Sequence, residues 1–148
     1  MARHVTSVAT PLSAAEAFAY MADVTRFVEW DPGIKRVVRV AGEGADVGAA
    51  YDLTVKAGAT TVMRYEVTEY DPPRRILLVA RTPRLTSVDE VRVEASGGGV
   101  VVTYDATLTL NGLSRVFDPL LRLAFRRIGD RAAAGLRRAL SGTAATVR

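Results

Sequence analysis

The chain has 148 residues, 49% of them hydrophobic and 24% charged, a size and balance suited to one globular domain with its own core. It contains no cysteine, which excludes disulfides, thiolate metal sites and a cysteine nucleophile, and fits a reducing compartment. No stretch approaches the roughly 18 uncharged apolar residues of a membrane span, and Met1-Ala2-Arg3-His4 leads into no apolar run, so neither a transmembrane segment nor a secretory signal is expected and the cytoplasm is the expected location.

Net charge is +4, and the excess lies near the C-terminus, where Arg115, Arg122, Arg126, Arg127, Arg131, Arg137 and Arg138 face only Asp118 and Asp130. No aromatic residues interleave them for base stacking, so no nucleic-acid partner is expected. A solvated helix face is the simpler reading, and weak contact with an anionic membrane is the other.

Along the chain, His4 to Thr10 alternates loosely and predicts a first strand ended by Pro11. Ser13-Ala14-Ala15-Glu16 is a capping box, and Ala14, Ala17, Phe18 and Met21 after it predict a short amphipathic helix. Asp23 caps a second short helix carrying Phe27 and Trp30, which Pro32-Gly33 stops. Strands follow over 34–40, 49–57, 60–70, 75–82, 86–95 and 100–110. The breaks between the last five are so short that only hairpins fit, giving an antiparallel meander. The place of the first strand beside the others does not follow from spacing. Asn111-Gly112 ends the sheet, and a helix is predicted from about Ser114 to Leu140, its α-helical part starting near Asp118-Pro119. Phe117, Leu121, Ala124, Ile128, Ala132, Gly135 and Ala139 form its apolar stripe.

Period-two alternation sets which side chains face inward. Met63, Tyr65 and Val67 oppose Arg64, Glu66 and Thr68, while Val102, Tyr104, Ala106, Leu108 and Leu110 oppose Val101, Thr103, Asp105, Thr107 and Thr109. The buried phenols Tyr51, Tyr65 and Tyr104 need partners, from the protein, water or a ligand. Val91 and Val93 fix an inward phase that also turns Ser87 and Asp89 inward. An unpaired buried carboxylate is costly, so Arg81 or Arg84 is the expected partner, unless a bulge reverses the phase and exposes Asp89. Trp30 is either a core plug or part of a cavity mouth. His4 is the only histidine and has no paired motif, so it reads as a strand-end side chain. No metal-ligand spacing, P-loop or GxGxxG is present, and neither a metal nor a cofactor is expected.

This order of strand, two short helices, six strands and long helix resembles the START-like helix-grip fold. Phe18-Ala19-Tyr20-Met21-Ala22-Asp23-Val24 with Phe27-Val28-Glu29-Trp30-Asp31-Pro32-Gly33 is similar to the helix-pair signature of the polyketide cyclase/dehydrase group. Val47-Gly48 and Tyr65-Glu66-Val67-Thr68-Glu69-Tyr70-Asp71-Pro72-Pro73-Arg74-Arg75 resemble two further signatures of that group, and the likeness runs from about residue 4 to 141. The resemblance implies one α+β domain over 1–148, a curved antiparallel sheet of about seven strands around the C-terminal helix, with an apolar cavity between them. It implies carriage of an apolar or aromatic small molecule, or a cyclase, aromatase or dehydratase acting in the same cavity. Small residues Ala132 to Gly135 on the helix lead to the expectation of a void, walled by Tyr51, Met63, Tyr65, Tyr104, Phe117, Leu121 and Phe125, with Ser87 and Asp89 as polar contacts; the competing reading is that the alanines let helix and sheet approach closely around a solid core.

Overall fold

A computed structural model of the chain describes residues 1–57 and 59–141. Strand β1 (Ala2–Thr10) leads to helix α1 (Ala14–Ala22), a 3-10 turn (Val24–Arg26) and the one-turn helix α2 (Phe27–Trp30). The capping box forms as the sequence dictates: Ser13 Oγ accepts from the Glu16 N–H at 3.1 Å, and Glu16 accepts from the Ser13 N–H at 3.0 Å. Then come β2 (Ile34–Ala41), β3 (Ala50–Ala57), β4 (Ala59–Asp71), β5 (Arg75–Arg81), β6 (Leu85–Ser96), β7 (Gly99–Leu110), a 3-10 segment (Gly112–Phe117) and α3 (Asp118–Leu140). Pro119 occupies the first turn of α3, where its missing N–H is not needed.

The seven strands form one antiparallel sheet in the order β1-β7-β6-β5-β4-β3-β2. The meander runs in sequence from β2 to β7, and β1 closes it by pairing with β7, from Ala2 opposite Leu108 to Thr10 opposite Val100. Register shifts in the β2/β3 pair and between Val67 and Glu69 in the β4/β5 pair mark bulges, which bend and twist a sheet.

Burial follows the expected phase on the inner face, where Tyr65, Val67, Tyr104 and Ala106 are buried while Arg64, Glu66 and Thr109 are exposed. Leu108 is only half-buried, and so is Thr107. Asp105 departs from the expectation of a wet residue: it points outward yet is buried, because Arg3 on β1 lies over it with a two-pronged contact at 2.7 and 3.0 Å. That guanidinium holds the Asp105 carboxyl below its ordinary range.

Helix α3 packs through its C-terminal half, against β1 and α2. Two glycines permit this. A Cβ on Gly135 would stand 1.8 Å from the Trp30 carbonyl oxygen, and one on Gly129 would stand 2.2 Å from the His4 ring. Ala132 and Ala133 are buried beside them. The small residues of α3 therefore serve close approach at this end and not the void expected there. His4 lies near the start of β1, as expected, but it is not isolated: its Nε2 lies 3.2 Å from Asp130 and its Nδ1 3.3 Å from the Thr6 hydroxyl, so it joins β1 to α3. Thr10 adds a buried hydrogen bond to the Leu140 carbonyl at 2.6 Å.

Gly135→Ala is expected to destabilise the protein by about 2–3 kcal/mol, because the opposing atom is backbone and cannot rotate away. Gly129→Ala should cost less, since a side-chain ring can shift. Urea unfolding with a lower midpoint and an unchanged slope would show it; equal stability of the Gly135 variant and the parent would refute the contact.

Candidate ligand site

Strand register assembles a polar band on the concave face. Tyr51 on β3 is directly opposite Tyr65 on β4, and Tyr65 is opposite Ala80 on β5, itself opposite Ser87 on β6. Ala80 is small, so the Tyr65 hydroxyl reaches over it and donates to Ser87 Oγ at 2.9 Å. Ser87 donates in turn to Asp89 Oδ1 at 3.2 Å, and Tyr104 on β7 donates to Asp89 Oδ2 at 2.5 Å. Strand β6 pairs without register shift on both sides, so no bulge turns its inner face outward, and Ser87 and Asp89 are buried with Val91 and Val93.

Asp89 is thus held by two hydroxyls. The expected cation is not there: Arg81 and Arg84 are exposed, because they flank the turn at the end of the hairpin. With no positive charge among the described residues to offset burial, desolvation dominates and the Asp89 carboxyl is pushed up to about 6, despite the opposing hydrogen bonds from Tyr104 and Ser87. Nearby Asp31 and Asp105 push in the same direction. Burial likewise raises Tyr65 and Tyr104, and both stay protonated as donors. Asp31 itself is raised by burial, against a hydrogen bond from the Gly33 N–H.

An aromatic cluster covers this band. The Trp30 ring meets Tyr104 edge to face at 5.1 Å between centroids and Phe27 at 4.9 Å. Two polar atoms beside the band lack partners: Trp30 Nε1 and the Tyr51 hydroxyl are both buried without a hydrogen bond among the described residues. The Arg39 guanidinium lies 4.9 Å over the Tyr51 ring, an interaction with its face that leaves the hydroxyl unserved.

Of the residues singled out from sequence, Tyr51, Met63, Tyr65, Ser87, Asp89 and Tyr104 are buried on the concave side. Leu121 and Phe125 are half-buried, and Phe125 also lines an open groove of about 390 Å³ between the start of β1 and α3, with His4, Arg122 and Arg126. Phe117 is a correction: it is 61% exposed, because it ends a 3-10 segment with no buried residue, so it is no inner wall. Asp31 was missed by sequence reading, since a loop carboxylate before Pro-Gly carries no signal of burial.

A buried carboxylic acid tied to a hydroxyl chain, beneath an aromatic roof and beside two unserved polar atoms, can bind a polar group on an otherwise apolar molecule, or pass a proton to it. The class of protein is a START-like helix-grip domain. The chain belongs to the family described as polyketide cyclase/dehydrase and lipid transport, which matches residues 1–141. Solved structures agree on the fold. A START superfamily protein from Mycobacterium smegmatis superposes with a TM-score of 0.75 at 15% identity, over 93% of this chain and 96% of its own. A ginseng (Panax ginseng) major latex-like protein gives 0.67 at 14%, over 93% and 96%. The di-domain aromatase/cyclase StfQ of the steffimycin biosynthetic pathway gives 0.70 at 15%, over 97% of this chain and 51% of StfQ. No curated protein matches the sequence.

The raised Asp89 makes a signed prediction. Well below the ordinary value of 3.8 both folded and unfolded Asp89 are protonated and the site costs nothing. As pH rises toward 6 the unfolded carboxyl ionises first, so stability is lost, on the order of 3 kcal/mol by pH 7. The stability difference between the parent and Asp89→Asn, measured by urea unfolding from pH 4 to 7, should therefore shift against the parent by that order. A difference that does not change with pH would refute the assignment.

Proposed function

We propose that this protein binds and carries an apolar or aromatic small molecule that presents a hydrogen-bond acceptor to the polar band beneath Trp30. The observation that supports this reading is the pair of buried, unserved polar atoms, Trp30 Nε1 and the Tyr51 hydroxyl. A buried donor without a partner costs about 1–3 kcal/mol, and an indole N–H can only donate, so a carbonyl or hydroxyl oxygen on a bound molecule relieves it. Tyr51, Met63, Tyr65, Ser87, Asp89, Tyr104, Leu121 and Phe125 are the proposed contacts. The lipid-transport part of the family description fits this reading.

A second reading, a cyclase, aromatase or dehydratase, is favoured by one feature. Asp89 near 6 is poised between acid and base at neutral pH and is linked by hydroxyls to Tyr65 and Tyr104. In that case the carboxyl moves the proton and the aromatic roof orients the reacting chain.

Native mass spectrometry of freshly purified protein and a thermal-shift panel of fatty acids, sterols and aromatic polyketide mimics test the carrier reading. A ligand at 100 times its Kd adds about 2.7 kcal/mol, or roughly 5–10 °C for a domain of this size. Tyr51→Phe keeps the ring but removes the unserved hydroxyl, and should weaken binding about tenfold, near 1.4 kcal/mol, without lowering the stability of the empty protein. No bound mass and no shift across the panel would defeat both readings. Turnover of a polyketide mimic that vanishes in Asp89→Asn would select the enzyme; binding without turnover selects the carrier.

A further inference from the structure

Five large apolar side chains at the start of the C-terminal helix stand in solvent: Leu113 (92% exposed), Val116 (74%), Phe117 (61%), Leu120 (70%) and Leu123 (60%). Leu113, Val116, Leu120 and Leu123 recur at spacings of three, four and three, so they share one side of the rod made by the 3-10 segment and the first turns of α3. That side is not the packed one. At about 100° per residue, Leu120 and Leu123 point more than a quarter-turn away from half-buried Leu121 and Phe125. Single exposed leucines are ordinary, whereas a continuous stripe of them marks an interaction surface.

The charges around the stripe decide what it meets. Arg115, Arg126, Arg127 and Arg131 are exposed, and none forms an ion pair among the described residues. The acidic side chains nearby are engaged, Asp118 with Arg122 at 3.0 Å and Asp130 with His4 at 3.2 Å. A second copy of the chain would bring arginine against arginine. Five side chains also fall well short of the roughly 20–30 residues a side of a standard protein interface.

We infer that this face docks on an anionic lipid surface, with the leucines in the boundary between headgroups and acyl chains and the arginines on lipid phosphates. The inference goes beyond the ligand reading and does not depend on it, because no residue of the stripe lies in the polar band.

The test is flotation of the full-length protein with phosphatidylcholine vesicles, with and without phosphatidylglycerol. Binding is expected only to the anionic vesicles and should weaken as salt rises. Arg126→Gln with Arg127→Gln should weaken it about 20- to 30-fold at low salt, from roughly 1 kcal/mol per charge. Leu120→Glu with Leu123→Glu should abolish it while the melting temperature and far-ultraviolet circular dichroism stay unchanged, since both sites are exposed. Leu120→Trp should shift its emission to the blue on anionic vesicles alone. Equal binding to neutral vesicles, binding without that blue shift, or no vesicle binding would each overturn the inference. A concentration-dependent dimer that Leu120→Glu dissolves, with no lipid binding, would assign the stripe to a second copy instead.

Discussion

The contact between Gly135 of α3 and the Trp30 carbonyl of α2 is the constraint on which the site depends. A helix backbone meets the end of another here with no side chain between them. Trp30 is thereby pinned, and its ring lies on Tyr104, whose hydroxyl holds Asp89. The roof, the phenol and the carboxyl are consequently linked to the packing of the long helix. Motion of α3 at this end would disturb the polar band, whereas motion at its exposed start need not. The molecule has a tight end, from Gly129 to Leu140, and a loosely covered end around residues 113–123.

Asp89 differs in kind from the other carboxylates of the sheet. On the outer face, Asp52 pairs with Arg64, Glu69 and Glu90 with Arg75, and Asp105 with Arg3 and Arg92. Arginine beside them lowers Asp52, Glu69 and Asp105. On the inner face no cation among the described residues reaches Asp89, and hydroxyl donors alone do not offset burial. The same residue type is an inert half of an ion pair on one side of the sheet and a titratable group near neutrality on the other. Such a separation of environments is how a fold acquires an acid or base that works near pH 7.

The pairing on the outer face also shapes the surface charge. Sheet arginines are largely matched by acidic partners across the strands, each exposed pair worth little to stability. The net charge of +4 is therefore not spread evenly. It surfaces along α3, where Arg126, Arg127 and Arg131 form no ion pair among the described residues and adjoin bare leucines. Charge and apolar exposure coincide there because α3 buries only its C-terminal half.

The sequence by itself determined the order of elements, the antiparallel meander and the inward phase of the long strands, because strand alternation, capping residues and hairpin lengths are local and repeat every few positions, and its resemblance to a known family implied the fold class. It also placed Tyr65 and Tyr104 on the inner face but left Ser87 and Asp89 open to a bulge; the unshifted register of β6, a tertiary fact, puts them there. Only the tertiary structure decided that β1 pairs with β7, because strand pairing at long separation leaves no local mark. It alone replaced an arginine partner by Ser87 and Tyr104 at Asp89, since Ala80 is low enough for a hydroxyl to cross a strand and the two arginines fall beyond the hairpin end. It moved Phe117 to the surface, and it turned the glycine and alanine run of α3 from an expected void into a close contact. Helical periodicity reports which residues share a side; what that side meets depends on the partner elements, and these are fixed only when the whole chain is folded.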